Sequence, residues 1–302
     1  MSSHGEGAGS VVRNAISHRS RLCASALLIG AIQGCATATV HGGYCAPPTP
    51  ATLSGTPDPL PPDSASREEQ VAALVGLSGM TREGVSRSSD ARALVVERVQ
   101  LASLAIGATS AELDCESERA EQAADYLGRA QTSSVQGLTV GSIAAATFTS
   151  IAGVFLSTGG ASSLAQDATA VSGGTVTAGL GLASFFVHRR TNYEHLRNLL
   201  ADVWAGPATS AMYPPVIWTY LTRAAFSNSG REPIRDRIVA RWRQFQQVED
   251  AATAAMLFGS GGAYDVDSLR LRAAMLDEVK AEVELARQDL AALAAELLGP
   301  SP

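Results

Sequence analysis

No Asp, Glu, Lys or Arg occurs between Ala130 and Gln166, and after Asp167 none occurs again from Ala168 to Val187. Coiled as helices, two stretches of about 20 residues each match the thickness of a bilayer's hydrocarbon core. Small residues recur on a four-residue step. They are Gly137, Gly141, Ala145, Thr149, Gly153 and Ser157 in the first half, then Ala165, Thr169, Gly173, Thr177 and Gly181 in the second. Positions i and i+4 share a helix face, so each stripe lets another backbone approach closely, as in membrane helix pairs. Each glycine costs roughly 1 kcal/mol of helix propensity in water, so close packing is expected to offset it. Ser157 to Ser163, with Gly159-Gly160 at its centre, has the composition of a turn. Residues 135–187 are therefore expected to form a glycine-rich apolar helical hairpin. Its hydropathy is borderline for spanning over 138–156 and below the usual threshold over 168–187. A soluble, tightly packed hairpin, a constitutive membrane hairpin and a hairpin that inserts later, tip first, all remain open.

The rest of the 302 residues also reads as helix, giving an all-α fold: a long-helix bundle carrying that hairpin. With only 7 Phe, 6 Tyr and 3 Trp, its core must rest on Ala, Leu and Val. A helix is expected over 66–77, capped by Ser64 or Ser66, and a long one from Ser89 or Asp90 over 89–131. The clearest pattern is 265–298. There Leu276, Val279, Val283, Ala286, Leu290, Leu293 and Leu297 alternate steps of three and four, and Gly299-Pro300 stops the helix. Such a seam packs against another long helix, in a bundle core or in a dimeric coiled coil. No alternating strand is expected after Ser66, and 188–204 reads as a helical extension of the hairpin. The aromatic-rich part, 205–250, holds a helix starting at Pro214-Pro215 and another carrying Ile234, Ile238, Trp242 and Phe245. The opposite face of that helix presents Arg235, Arg237, Arg241 and Arg243. It is either a solvated face or a contact for anionic lipid or another acidic partner.

Catalytic patterns are missing from the sequence. Lys280 is the only lysine, so no Walker A loop is possible, and no GxSxG, HExxH or EF-hand pattern occurs. Gly259-Ser260-Gly261-Gly262 has the composition of a phosphate loop but lacks a preceding strand, and reads as a linker. His188 and His195 are seven apart, too far for a helical metal pair, and Glu194-His195 with Arg197 and Asp202 reads as a structural polar cluster. No cofactor or metal is expected.

The N-terminus reads as an address. Arg13, Arg19 and Arg21 precede an uncharged run, Leu22 to Ile32, too short to span a bilayer. The run ends Ile32-Gln33-Gly34-Cys35. That ending resembles the lipobox of bacterial lipoproteins, although Gln33 is bulkier than the family's usual residue there. The resemblance implies cleavage of a signal peptide, 1–34, and lipidation at Cys35; an ordinary cleaved signal and a chance apolar patch are the alternatives. Residues 35–64 then read as a lipidated, proline-rich disordered tether, carrying Pro47, Pro48, Pro50, Pro57, Pro59, Pro61 and Pro62. Beyond it lies a helical domain, 65–302. In an exported protein Cys45 and Cys115 could form a disulfide or remain two thiols, which spacing does not decide.

The expected function is a non-catalytic, lipid-anchored bacterial envelope protein, structural or interacting with an unidentified protein partner, facing the periplasm or exterior. The alternative is a membrane-active or pore-forming protein whose 135–187 hairpin inserts. The arrangement of a helical bundle with a central apolar hairpin is similar in layout to α-helical pore-forming toxins. A homo-oligomer is open. Nucleic acid is disfavoured by export and by the net charge of -6.

Overall fold

The seam of the C-terminal helix is buried in full. Leu276, Val279, Val283, Ala286, Leu290, Leu293 and Leu297 all lie inside the core of the computed structural model. This helix, Val266–Leu298, is called α8 below. Asp265 caps its start through a reciprocal box with Ser268. Its partner is α3, Ser89–Thr158, a single helix of 70 residues. The two run antiparallel. Ser117 Oγ donates to the Ala273 carbonyl (3.2 Å), Lys280 pairs with Asp114, and Arg287 lies against Gly107. Along the contact α3 offers Ala102, Ile106, Thr109, Leu113, Ser117, Ala120, Ala124 and Leu127, a stripe on three- and four-residue steps in which small side chains dominate. They let α8 approach closely, whereas Leu104, a large residue off this stripe, is 57% exposed.

The structure describes residues 39–40, 45, 57–158, 179–180, 182 and 188–299. All belong to one compact unit, Thr39–Pro302; the other unit, Met1–Ala38, lies outside the described residues, as does Cys35. Around the α3–α8 pair sit α1 (Arg67–Leu74), α2 (Arg82–Arg87), α4 (Leu199–Ala205), α5 (Pro215–Thr222), α6 (Ile234–Gln244) and α7 (Ala251–Phe258), with a 3-10 turn at Ala224–Phe226. The protein is thus an all-α assembly of long helices. Ser66 and Glu69 form the capping box of α1, and Pro215 opens α5. Trp242 is fully buried, its indole N–H donating to Glu278 (2.8 Å). Phe245, expected on the same face, is instead 65% exposed, because α6 ends at Gln244.

Three expectations need correction. First, 89–131 and the first half of the hairpin are one helix without a break. The glycines at 128, 137 and 141 lower propensity without removing a backbone hydrogen bond, so nothing stops the coil there. Second, the chain after Ser66 does contain strands. A small sheet of β1 (Thr39–Val40), β2 (Thr191–Glu194) and β3 (Gly261–Tyr264) pairs β1 parallel and β3 antiparallel to β2. So 188–204 is no helical extension: 188–190 is coil, β2 follows, and α4 starts at Leu199. These strands escape a search for alternation because each is four residues or fewer, and β3 begins Gly-Gly. Gly261 takes φ +110 opposite Glu194, where a Cβ would lie 2.1 Å from the Tyr193 carbonyl oxygen.

Third, the described parts of the supposed tether are fixed to the bundle. β1 is a ladder strand, and Cys45 is joined to Cys115 of α3 by a disulfide closing 70 residues. Loop-closure entropy for that length corresponds to about 4 kcal/mol against the unfolded chain. Further on, Asp58 N–H donates to Ala73 (2.9 Å), the Gln70 amide to Pro62 (2.6 Å), and Asp63 pairs with Arg223 (3.0 Å). Proline there docks an already extended chain at low entropic cost rather than keeping it free.

Candidate functional site

The sheet brings together the one dense cluster of buried ionisable groups among the described residues. β2 supplies Tyr193 and His195 follows it; β3 supplies Tyr264, α3 Glu116 and Arg119, and α8 Arg272. Arg119 pairs with Glu116 (2.7 Å), lies over the Tyr193 ring (4.0 Å) and donates to the Glu194 carbonyl (3.0 Å). The rings of Tyr193, His195 and Tyr264 meet edge-on or tilted at 5.4–5.7 Å. His195 sets Nδ1 3.1 Å from the Gly259 carbonyl and Nε2 3.2 Å from the Tyr264 hydroxyl, which donates to Met256 (2.8 Å). Burial, then the Arg272 charge, holds the His195 imidazole down at about 3, and burial pushes the Tyr264 phenol up to about 12. Sequence reasoning found Glu194-His195 but paired them with Arg197 and Asp202. Those two face elsewhere: Arg197 binds Glu112 (2.7 Å) and Asp202 accepts from Ser210 (2.5 Å). Arg272 was missed, since its place on the α8 seam carries no sequence mark.

Arg272 is fully buried. Its Nη1 donates to Asn198 Oδ1 (3.2 Å) and the Leu257 carbonyl (3.0 Å), while among the described residues Nε and Nη2 have no hydrogen-bond partner and no carboxylate is paired with it. Burial therefore lowers its pKa. The two acceptors have other donors, Leu200 N–H for Asn198 and the Asn198 amide for Leu257. Arg272→Met is thus expected to leave no orphaned acceptor and to remove a buried charge. Stability should rise by about 1–4 kcal/mol in urea unfolding, and a fall would show that the guanidinium is a net stabiliser.

The cluster is closed to solvent and locks β2 between α3 and α8, and the Tyr264 hydroxyl beside the His195 ring donates to the Met256 carbonyl. Among the described residues no group of three metal-ligating side chains converges. Gly259 to Gly262 turn α7 into β3, and the Gly259 and Ser260 carbonyls accept from Asn198 Nδ2 (2.8 Å) and the His195 N–H (3.0 Å). Carbonyls pointing at the cluster make no phosphate cradle.

The arginine face of α6 makes contacts within the bundle, although Arg241 and Arg243 stay exposed. Arg235 donates to the Val203 and Trp204 carbonyls (both 2.6 Å), Arg237 pairs with Glu282 (3.3 Å), Arg241 with Glu278 (2.8 Å), and Arg243 covers the Trp204 ring (5.0 Å). These contacts fasten α6 to α4 and α8. An open groove of about 810 Å³ lies between the proline segment, α1 and the end of α8, with Leu293, Leu297 and Met80 among its walls and Glu68, Glu69 and Glu296 along it.

What the bundle leaves uncovered is the outer part of α3. The helix is about 105 Å long against about 50 Å for α8, and the register carries it past the start of α8 near Leu127. Beyond, Val140, Ile143, Phe148, Ile151, Val154 and Phe155 are 52–77% exposed. The opposite face, including Gly141, Ala145 and Thr149, is half-buried, with Leu180 4.0 Å from where a Gly141 Cβ would lie; Gly137 is open. Arg189 reaches Ser134 Oγ (2.8 Å), so the returning chain lies beside α3 in reverse order at both points. Gly173, Thr177 and Gly181, and the surroundings of Gly153 and Ser157, lie outside the described residues. Among the described helices α3 alone is long and apolar enough to cross a membrane.

No protein-family model, curated protein or solved structure matches the chain.

Proposed function

We propose that this chain is an exported, lipid-anchored envelope protein without catalysis, whose apolar arm enters a bilayer and whose bundle works at the surface as a structural or interaction module. The exposed outer part of α3 carries this reading. An arm whose large apolar side chains are half or more exposed is costly in water, at roughly 25 cal/mol per Å². Its dimensions favour a bilayer. From Gly137 to Thr158 no charged residue, Asn or Gln occurs, and 22 helical residues rise about 33 Å, close to the hydrocarbon thickness. Its polar atoms are also spent internally. Thr139, Ser142, Thr147, Thr149, Ser150 and Thr158 each donate to a carbonyl three or four residues back, as a helix in hydrocarbon requires.

The anchor fits the same surface. Thr39 is only four residues beyond Cys35, a reach of about 14 Å when extended. A lipid on Cys35 would therefore hold the bundle against the membrane, where a free 30-residue tether would have held it away. Carbonate washing of membranes from cells expressing Cys35→Ala tests the arm separately from the lipid. The variant is expected to stay with the membrane pellet; full release into the soluble envelope fraction would sink the membrane reading of the arm.

A further inference from the structure

Resting on the arm's insertion, we infer that the base of the arm is a collar for anionic phospholipid headgroups, formed by Arg129, Arg189 and Arg190. Arg129 is the last charge on α3 before the apolar stretch, and His188-Arg189-Arg190 are the first charged or titratable residues after Asp167. The fold puts the two groups at one level, because Arg189 is bonded to Ser134 while Arg129 lies just over one turn below that serine. Between Arg129 and Gly137 lie seven uncharged residues, Ala130 to Gln136, among them two glutamines, two serines and a threonine. They rise about 10 Å, comparable with the headgroup layer that separates hydrocarbon from water. With 137–158 in hydrocarbon, the three guanidinium groups stand where lipid phosphates do. Tyr126, 56% exposed one turn below Arg129, adds an aromatic anchor of the kind enriched at that boundary.

The charge balance at this level is positive. Arg129 and Arg190 are exposed and neither forms an ion pair among the described residues; Arg190 feels Asp265, the cap of α8, at longer range. Asp125, the nearest acid below Arg129 on α3, is already engaged by Arg270 at 3.8 Å. The same arginines bear on the route of insertion. On an exported chain they lie on the translocated side, where cationic flanks oppose co-translational insertion. As headgroup ligands they instead favour docking from outside, with the uncharged arm entering after them.

Flotation of the purified full chain with vesicles tests this, comparing phosphatidylcholine alone with phosphatidylcholine containing phosphatidylglycerol. The wild type should partition more strongly into the anionic vesicles, and added salt should erase the difference. R129Q/R190Q should lose roughly 30-fold on anionic vesicles and little on neutral ones, at about fivefold per arginine, with R129K/R190K recovering most of it. Both positions are exposed, so an unchanged thermal transition is the check on folding. Equal partitioning of wild type and R129Q/R190Q on anionic vesicles would overturn the collar while leaving the arm standing, as it would if these arginines met an acidic protein instead. No partitioning into either vesicle would overturn the collar and the arm together.

Discussion

Phe148→Lys combined with Ile151→Lys is expected to move the Cys35→Ala protein from the carbonate-resistant pellet to the soluble fraction. Both side chains lie near the middle of the 33 Å apolar stretch, on its outward face, at 77% and 52% exposure. A lysine at the bilayer centre costs about 3 kcal/mol, so each change weakens insertion by about two orders of magnitude. The same substitutions cost the bundle almost nothing, because neither residue touches the core. The thermal transition should therefore stay put, or sharpen as aggregation declines. That contrast separates the two solvents: an arm that works in water tolerates both lysines, while an arm that works in lipid is disabled by them. Retention of the double variant in the pellet would overturn the reading.

Acidification should destabilise the fold through His195. The group binds a proton near pH 6.5 when unfolded and only near 3 when folded, so below 6.5 the unfolded state takes up more protons. Stability is full above pH 6.5 and is lost as pH falls from there towards 3, by about 1.4 kcal/mol per unit at the steepest. Between pH 6.5 and 5, above most carboxylate titration, the loss should reach about 2 kcal/mol. Its causes are on the structure: the ring is closed off by Tyr193 and Tyr264, and Arg272 stands in the same pocket of charge. Urea unfolding at pH 6.5 and pH 5 measures it. His195→Gln, which keeps a donor for the Gly259 carbonyl, should flatten the slope. An equal slope in that variant would place the pH sensitivity elsewhere. Asp265, where burial is outweighed by the Ser268 cap bonds, and Asp250, held low by its bonds from Thr253, contribute losses only once pH falls below about 4.

Legibility followed the physics of each signal. The α8 seam, the Ser66, Asp265 and Pro215 starts and the charge-free stretch were readable because each is local and periodic. The partner face of α3 was harder. Large apolar residues are the usual mark of a buried face, yet Leu104 is exposed, whereas close packing selected Ala102, Ala105, Ala120 and Ala124, whose small size is the point of contact. The sheet was invisible because a two-residue and two four-residue strands have no periodicity to detect, and their partners lie far apart in sequence. Proline and missing charge in 35–64 led to the expectation of a segment without its own core. They said nothing about whether another core would take it in, which Cys115, Ala73 and Arg223 do.

The sequence alone determined that long helices would dominate, where the C-terminal one would bury its seam, and that some 37 residues after Arg129 would carry no charge. Those properties depend on neighbours within a turn or two, so local composition suffices. Only the tertiary structure decided that α3 runs unbroken from bundle to arm and that its outer apolar face stands exposed. It also decided that the α6 arginines contact α4 and α8, and that Thr39 is tied beside the arm's base. Each depends on which distant segment occupies a given face. A helix face reads the same whether protein, water or lipid covers it; only the length of α8, which ends the protein cover near Leu127, separates buried seam from exposed arm.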